Sequence, residues 1–528
     1  MSTDPDKSKR KLWNAMIYLA GENNLAEECV FALKEMKRAR PRPSCNNCPP
    51  TETDIDGRRD IDRQVDKQVK IVAQLDAGGL GGNEVRYILK RGDIDGLLQD
   101  SAITTRDTTE TSYRGVLKDF ISSSIILEGQ ADHYLLVLSG HGNGLLSDFL
   151  SRDNETFDKL SIPKIQWVLR EVKQDLTESI SKEVGDAFMI DILGLDSCLM
   201  SMAEIGYELR KYVKYTVGAE GFEPNSGWPY ERILSDLLTK PTMDAQELVF
   251  RIVERYVTYY KDFLPAGRSV DQSACDLSKC EALKNAMLEL ANVLTAKIGE
   301  AETKRQVVLA HWEAQSYKDD QYVDLYDFCD LLDRGPDDQN PATGSVVMKG
   351  LKVNDYIRTA CQNVKRVLNP FGKDGGDPPM VMHSCYSGPA VQYSHGLSLY
   401  FPWSNVIESY KDLEFANDTN WRHFLLKYID VTRRGKRLCP YVTEKVETEK
   451  GATDKVVTGQ LFFNPTVAGF DFLLGTNKDA PTFSRVLSNK VGSMKNPALD
   501  HVPCQCPKKY PDDPPPDTRR PIATGLIE

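Results

Sequence analysis

The sequence predicts an α/β fold, with a mostly parallel sheet covered by helices on both faces and a C-terminal α+β region behind it. Short apolar segments alternate with segments of helical periodicity in the first half, and this alternation is typical of βαβ units. The chain has 528 residues, enough for two to four domains. With 41% hydrophobic and 27% charged residues, the composition is that of a globular protein.

The first half contains the expected core of the sheet. Strands are predicted at Leu12–Leu19, Val69–Leu75, Val85–Lys90, His133–Leu138, Phe188–Leu195 and Tyr215–Ala219. Helices are predicted at Leu25–Met36, at Tyr113–Ile121, from Ser161 and Pro163 onwards, and after a capping box formed by Ser201 and Glu204. A polar, proline-containing insertion separates the first helix from the second strand, over about 40–68.

The second half has a different pattern. Leu283, Met287, Leu290 and Leu294 predict one helix, and further helical periodicity extends from Lys304 to Leu332. Strands are expected at Val391–Phe401 and within Val456–Leu474, and a proline-rich tail covers 503–521. We therefore expect three regions: an α/β domain over 12–265, a helical and strand domain over 266–435, and a C-terminal extension over 436–528.

The net charge and the N-terminus limit the function classes. A formal net charge of −11 disfavours a broad nucleic-acid or membrane-surface binder. The N-terminus lacks the pattern of a secretory signal, which favours a cytoplasmic protein. In a reducing compartment the cysteines should be mostly free thiols.

Two strand ends carry side chains that can do chemistry. His141 lies in a glycine-rich segment after one apolar strand, and Cys198 follows the next strand of the sheet. Open α/β sheets place their sites at this edge, and a cysteine and a histidine there can form a nucleophile–base pair. A turn histidine and a buried, inert cysteine are the alternatives that these residues alone leave open.

Several ordered segments resemble the clostripain family of cysteine peptidases, within the caspase-like group. They are Trp13–Tyr18 with the asparagine-rich turn after it, Ser139–Gly142, Leu195–Met200, Ala219–Pro224 with Gly227 and Trp228, Asp324–Phe328, and Gly396–Pro402. The resemblance implies a caspase-like catalytic domain in the N-terminal region. It also implies a cysteine endopeptidase that acts on protein substrates.

The resemblance assigns roles to individual residues. Cys198 would attack the scissile carbonyl and His141 would move the proton, while the backbone amides of Gly142 and Cys198 would form the oxyanion hole. Asp196 would lie in the S1 pocket and select Arg over Lys; the alternative is an aspartate that caps the turn. No third catalytic residue can be identified from the sequence.

Regulation is the next expectation. Relatives are often processed between the catalytic histidine and cysteine, and Arg152 lies there in a polar segment, so we predict cleavage after it. Such a protease would be activated by cleavage or by a regulatory partner. The rival hypothesis is a catalytically silent, caspase-like interaction module.

No cofactor is expected, although the sequence leaves open whether the protein binds structural zinc or calcium. Cys45 and Cys48, together with Cys504 and Cys506, could supply four thiolates to a structural zinc, but free surface thiols are the favoured interpretation. Calcium dependence occurs in the family, yet the sequence contains no Asp/Asn-rich binding loop of the usual kind.

Overall fold

The computed structural model describes most of the first 433 residues and four short strands beyond them. The described residues are 10–42, 65, 67–76, 83–89, 102–107, 113–127, 129–145, 150, 160–263, 269–318, 321–334, 354–370, 378–433, 443–448, 451–456, 460–463 and 470–473.

A nine-stranded sheet forms the centre of the protein. Its strands, in chain order, are β1 (Lys11–Ala20), β2 (Val69–Asp76), β3 (Asn83–Ile88), β4 (Ala102–Asp107), β5 (Ala131–Ser139), β6 (Ile190–Asp196), β7 (Val213–Gly218), β8 (Val270–Asp276) and, after two short strands, β11 (Val381–Ser387). The spatial order is β11-β8-β7-β6-β5-β1-β2-β3-β4. The central strands β2, β1, β5, β6 and β7 pair in parallel, while the strands at both edges pair antiparallel. The predicted fold class is confirmed.

Seven helices precede strand β8 in the described chain. They are α1 (Ala26–Arg38), α2 (Tyr113–Ile126), α3 (Ile162–Ser179), α4 (Lys182–Ala187), α5 (Ala203–Leu209), α6 (Tyr230–Thr239) and α7 (Ala245–Phe263). Consecutive side chains are buried along most of β1, and in a strand consecutive side chains point to opposite faces, so both faces of the sheet are covered. Pro163 stands in the first turn of α3, where a missing N–H costs nothing.

A second, three-stranded sheet lies in the C-terminal part. It consists of β9 (Ser316–Tyr317), β10 (Tyr322–Asp324) and β12 (Ser398–Tyr400), in the order β12-β10-β9. Around it are the helices α8 (Cys280–Lys297), α9 (Ala301–Glu313), α10 (Leu325–Arg334), α11 (Asp355–Leu368), α12 (Glu414–Asp418) and α13 (Trp421–Arg433). Two hairpins follow, formed by β13 (Thr443–Thr448) with β14 (Gly451–Val456) and by β15 (Gln460–Phe463) with β16 (Phe470–Leu473).

Two sequence predictions need correction in this part, and two strands were not predicted. The strand expected at Val391–Phe401 is only the three residues of β12, and the long helical pattern from Lys304 is divided by β9 and β10. Strands β8 and β11 were not predicted, and they extend the main sheet beyond residue 265. The domain division at that residue stays a prediction.

The predicted capping box at Ser201 and Glu204 is wrong. Helix α5 begins after Met202, and no side chain caps it. The Ser201 hydroxyl instead donates to the carbonyl of Gly396 (2.8 Å), and Glu204 accepts from the backbone N–H of Tyr400 (3.0 Å). Both side chains therefore bind backbone groups in or just before strand β12 of the second sheet, because buried backbone N–H and C=O groups need hydrogen-bond partners.

Most described cysteines are free, as expected. Free thiols are found at Cys29, Cys198, Cys275, Cys280, Cys329 and Cys361, all buried. Cys385 is disulfide-bonded, which the sequence analysis did not anticipate. In the described part of the chain, no helix has both the length and the apolar content required to cross a bilayer.

Glu204 provides a test of how the two sheets are joined. It is fully buried, and burial raises its pKa to about 7, so the folded protein holds a proton there that the unfolded chain releases near pH 4.5. Its contribution to stability is therefore complete below pH 4.5 and is lost as the pH rises through 7. We predict that between pH 5 and 8 the wild-type protein loses about 2–3 kcal/mol more unfolding free energy than Glu204→Gln.

Urea unfolding at the two pH values measures both losses. The glutamine variant keeps an acceptor for the Tyr400 N–H but does not titrate, so the difference isolates the proton. An identical pH dependence in the two proteins would show that Glu204 is ionised in the fold.

Candidate active site

The parallel register of β5 and β6 brings the two predicted catalytic loops together. Ser139 is paired with Asp196 at the ends of these strands, and the N–H of Gly140 then donates to the carbonyl of Asp196 (3.2 Å). His141 and Cys198 each follow two residues after the paired positions, so both leave the sheet at the same edge. This is the carboxyl edge at which parallel sheets hold their sites.

Gly142 packs directly against the backbone of Cys198. A Cβ placed on Gly142 would lie 2.4 Å from the carbonyl oxygen of Cys198 and 3.0 Å from its nitrogen. Because such distances exclude any side chain, glycine is required at this position. The structure thus brings together the two residues whose amides are predicted to form the oxyanion hole.

Cys198 is fully buried in the described conformation. Its Sγ accepts a hydrogen bond from the backbone N–H of Glu223 (3.1 Å). Burial raises the pKa of the thiol, and the carboxyls of Glu223, Asp196 and Asp271 add to the rise, while the Glu223 N–H opposes it. The thiol is therefore protonated at neutral pH in this state.

The residue after the cysteine has an unusual backbone conformation. Leu199 has a positive φ of 65°, which is unfavourable for a branched side chain. Its N–H donates to the carbonyl of Gly221 (2.9 Å), so the segment that carries Glu223 also supports the strained turn. The cysteine loop and the 219–223 segment consequently form one unit.

Asn24 orients the imidazole of His141. The Oδ1 of Asn24 lies 2.6 Å from Nε2 of the half-buried histidine. Because an amide oxygen only accepts, Nε2 carries the hydrogen, and Nδ1, which is buried, is the nitrogen that can take up a proton. Asn24 lies in the turn after β1, and β1 is the neighbour of β5 in the sheet.

Asp196 lines a narrow cleft and lies two residues before Cys198 in the chain. It is 2% exposed, and its Oδ2 accepts from the hydroxyls of Ser139 (2.8 Å) and Tyr230 (2.6 Å). Gly227, with φ 61°, packs against the carboxylate, since a Cβ there would lie 2.9 Å from Oδ2. The cleft is lined by Leu25, Glu28, Cys29, Ala32, Ser139, Gly140, Asp196, Asn225, Ser226 and Gly227.

Glu223 faces Asp196 as a second buried carboxyl. It is fully buried, and its pKa is raised by burial and then by the charge and hydrogen bond of Asp196. Two adjacent carboxyls cannot both ionise without a counter-charge, so the pair shares a proton in this state. A cation that enters the cleft would take the place of that proton.

A second group of acids lies beneath the 219–223 segment. Asp271 accepts from the backbone N–H groups of Glu220 (2.7 Å) and Gly221 (3.0 Å), and burial raises its pKa to about 6. Glu220 accepts from Gly396 N (2.7 Å), and burial together with Asp324 and Asp271 raises its pKa. His395 is buried against Asp324, 3.1 Å from Nδ1 to Oδ1. These groups hold the segment that contacts Cys198.

Sequence reasoning missed several of these residues. Asn24, Glu223 and Gly227 all stand in segments that carried the family resemblance. The sequence therefore indicated that these segments matter, but it did not assign these residues a role in the site. Ser139 also stands in one of these segments, whereas Tyr230 had no signal, because the hydroxyl partner of a buried carboxylate has no fixed spacing. Arg152, the predicted processing site, lies outside the described residues, as do the four cysteines of the zinc hypothesis, Cys45, Cys48, Cys504 and Cys506. The described residues contain no group of three or more His, Cys, Asp or Glu side chains suited to a metal ion.

The chain belongs to the clostripain family, whose sequence model matches residues 46–426. The protein is therefore a cysteine endopeptidase, and its substrates are proteins. No curated protein matches the sequence.

Two solved structures illustrate the structural similarity. A secreted C11 cysteine protease from Bacteroides thetaiotaomicron, in complex with an irreversible peptide inhibitor, is 18% identical with a TM-score of 0.50, over 78% of this chain and 99% of that one. An inactive zymogen C11 protease from Parabacteroides distasonis is also 18% identical, with a TM-score of 0.45, over 78% of this chain and 98% of that one. At this identity, the first of these supports the fold alone.

The glycine contact yields a direct test of the site geometry. We predict that Gly142→Ala destabilises the protein by about 1–3 kcal/mol, because the new methyl group must displace the backbone of Cys198. Peptide hydrolysis should fall at least tenfold, since the two loops move apart. Thermal unfolding and a peptide cleavage assay measure the two effects.

Gly299→Ala is the matched control. A Cβ at Gly299 would meet nothing within 4 Å, and its φ needs no glycine, so this variant should keep wild-type stability and activity. A Gly142→Ala protein that behaves like the control would contradict the close approach of the two loops.

Proposed function

We propose that this clostripain-family protease cleaves peptide bonds after arginine, and less readily after lysine, with Cys198 as nucleophile and His141 as general base and acid. The observation that carries the specificity is the buried carboxylate of Asp196, which lines the cleft and lies two residues before Cys198. A planar guanidinium can bind a carboxylate through two parallel hydrogen bonds, whereas an ammonium offers a point charge.

The charge of the cleft supports this preference. Asp196 is held in place by Ser139 and Tyr230, and the proton shared with Glu223 keeps the empty pair from carrying two negative charges. A bound guanidinium stabilises both carboxylates in their ionised form, so the shared proton leaves when the substrate side chain enters. A neutral or acidic side chain cannot compensate the pair, and such substrates are disfavoured.

The proposed reaction uses only groups of the two loops. The Cys198 thiol gives its proton to Nδ1 of His141, and the thiolate adds to the scissile carbonyl, whose oxygen binds the amides of Gly142 and Cys198. The C–N bond then breaks, and the leaving amine takes the proton from His141. Water hydrolyses the thioester, with His141 accepting its proton and returning it to the thiolate.

The buried state of Cys198 supports a regulated enzyme. Its Sγ is covered and hydrogen-bonded to the Glu223 N–H, so a substrate carbonyl reaches it only after the 219–223 segment shifts. We infer that cleavage or a partner triggers this shift. Cleavage after Arg152 remains a prediction from the sequence.

The dyad is tested by single and double variants. Cys198→Ala and His141→Ala should each reduce kcat to background, and the double variant should be no worse than either, because the residues act as a unit. The assay is hydrolysis of a peptide with arginine at the cleaved position. Substantial turnover by either single variant would refute the assignment and revive the silent-module hypothesis.

The specificity of the cleft is tested at its carboxylate. We predict that Asp196→Asn lowers kcat/KM for arginine substrates tenfold to more than a hundredfold, since a charge-assisted hydrogen bond contributes about 1.5–3 kcal/mol. The asparagine keeps an acceptor for Ser139 and Tyr230, so folding should change little.

Asp191→Asn is the matched control on the same strand. Asp191 accepts from the N–H of Tyr134 (2.9 Å) near the other end of β6, away from the cleft. This variant should retain wild-type kcat/KM. Normal cleavage after arginine by Asp196→Asn would place the S1 pocket elsewhere.

A further inference from the structure

One tyrosine of the second sheet holds the loop that carries His141. The hydroxyl of Tyr322, on β10, donates to the carbonyl of Asn143 (2.8 Å) and accepts from the N–H of Leu145 (3.1 Å). We propose that Tyr322 is a positioning residue for His141, acting through the backbone of residues 143–145. The inference rests on the proposed role of His141 in proton transfer.

The ring of Tyr322 adds a steric contact to these two hydrogen bonds. A Cβ placed on Gly144 would lie 2.7 Å from the Cζ of Tyr322, and Gly144 has a positive φ of 59°. Only glycine fits between the ring and the turn. Three consecutive loop residues are therefore held by one side chain.

Tyr322 is itself rigidly placed. It is fully buried, and within its sheet it is paired with Tyr400 on β12 and with Tyr317 on β9. The same sheet binds the cysteine side of the site, since the N–H of Ser398 on β12 donates to the carbonyl of Ser201 (2.9 Å). Both catalytic loops are thus hydrogen-bonded to the small three-stranded sheet, which is separate from the main nine-stranded sheet.

Two other described contacts hold the histidine loop at different points. The carbonyl of His141 accepts from the N–H of Leu150 (2.8 Å), and Asn24 orients its ring. Neither contact involves residues 143–145. Loss of the Tyr322 hydroxyl should leave the loop attached but free to move by an ångström, and a displacement of this size is enough to lower a reaction rate by about a hundredfold.

Tyr322→Phe removes the hydroxyl and keeps the ring. We expect kcat, counted per titrated active site, to fall at least tenfold, with KM changed less than twofold. The acid limb of the pH–kcat profile should also shift, because the loop no longer holds the His141 imidazole in one fixed position. Counting active sites removes misfolded molecules from the comparison.

Tyr400→Phe is the matched control. The Tyr400 hydroxyl also donates to one backbone carbonyl, of Asn405 (3.2 Å), and accepts from one backbone N–H, of Ile407 (3.1 Å). It lies opposite Tyr322 in the sheet but holds a different turn. This variant should lose a similar amount of stability while keeping wild-type kcat and pH profile.

The outcomes separate this inference from the function on which it rests. A Tyr322→Phe enzyme with the kcat and pH profile of Tyr400→Phe, beside an inactive His141→Ala, would overturn the positioning role alone. Turnover by His141→Ala would overturn the proposed function itself. If Tyr322→Phe fails to fold, Gly144→Ala disturbs the same contact from the loop side, and an unchanged kcat in that variant would also overturn the inference.

Discussion

The parallel pairing of β5 with β6 is the constraint on which the rest of the site depends. It sets Ser139 opposite Asp196, and the chain then continues from each strand end into one of the two catalytic loops. Their separation is so small that Gly142 meets the backbone of Cys198. A slip of one residue in this register would turn every side chain of β6 to the other face and take Asp196 out of its pairing with Ser139. The pairing of strands in the core of the sheet thus determines how the two catalytic loops lie relative to each other.

Buried carboxyls surround the nucleophile, and their protons are part of the structure. Glu223 with Asp196, and Glu220 with Asp271 and Asp324, form two groups along the 219–223 segment that contacts the cysteine loop, and burial is the first cause of the raised pKa in Glu220, Glu223 and Asp271. Unpaired charges of this kind would be strongly destabilising, so Glu220 and Glu223, whose pKa values are raised well above the usual range, retain protons in the resting protein. The proton shared by Asp196 and Glu223 leaves this pair with one negative charge instead of two, next to the segment that contacts Cys198.

The sequence was most informative about features that one continuous chain segment determines, such as a strand and the turn after it. Apolar segments and the turns after them predicted β1, β5 and β6, and hence the common edge of His141 and Cys198. It was misleading at Ser201 and Glu204, whose spacing fits a helix cap, because their actual partners, Gly396 and Tyr400, lie almost two hundred residues further along the chain. The roles of Asn24 and Tyr322 also depend on contacts between distant segments. No local pattern encodes such contacts, and only the packed fold reveals them.

The most direct test of the account is covalent labelling with peptide chloromethyl ketones that differ only in the residue next to the reactive group, with the modified site mapped by mass spectrometry. The account predicts a single adduct on Cys198, formed fastest with arginine, more slowly with lysine and hardly at all with leucine or aspartate. An adduct on another cysteine, or labelling of Cys198 at the same rate whatever the adjacent side chain, would contradict it.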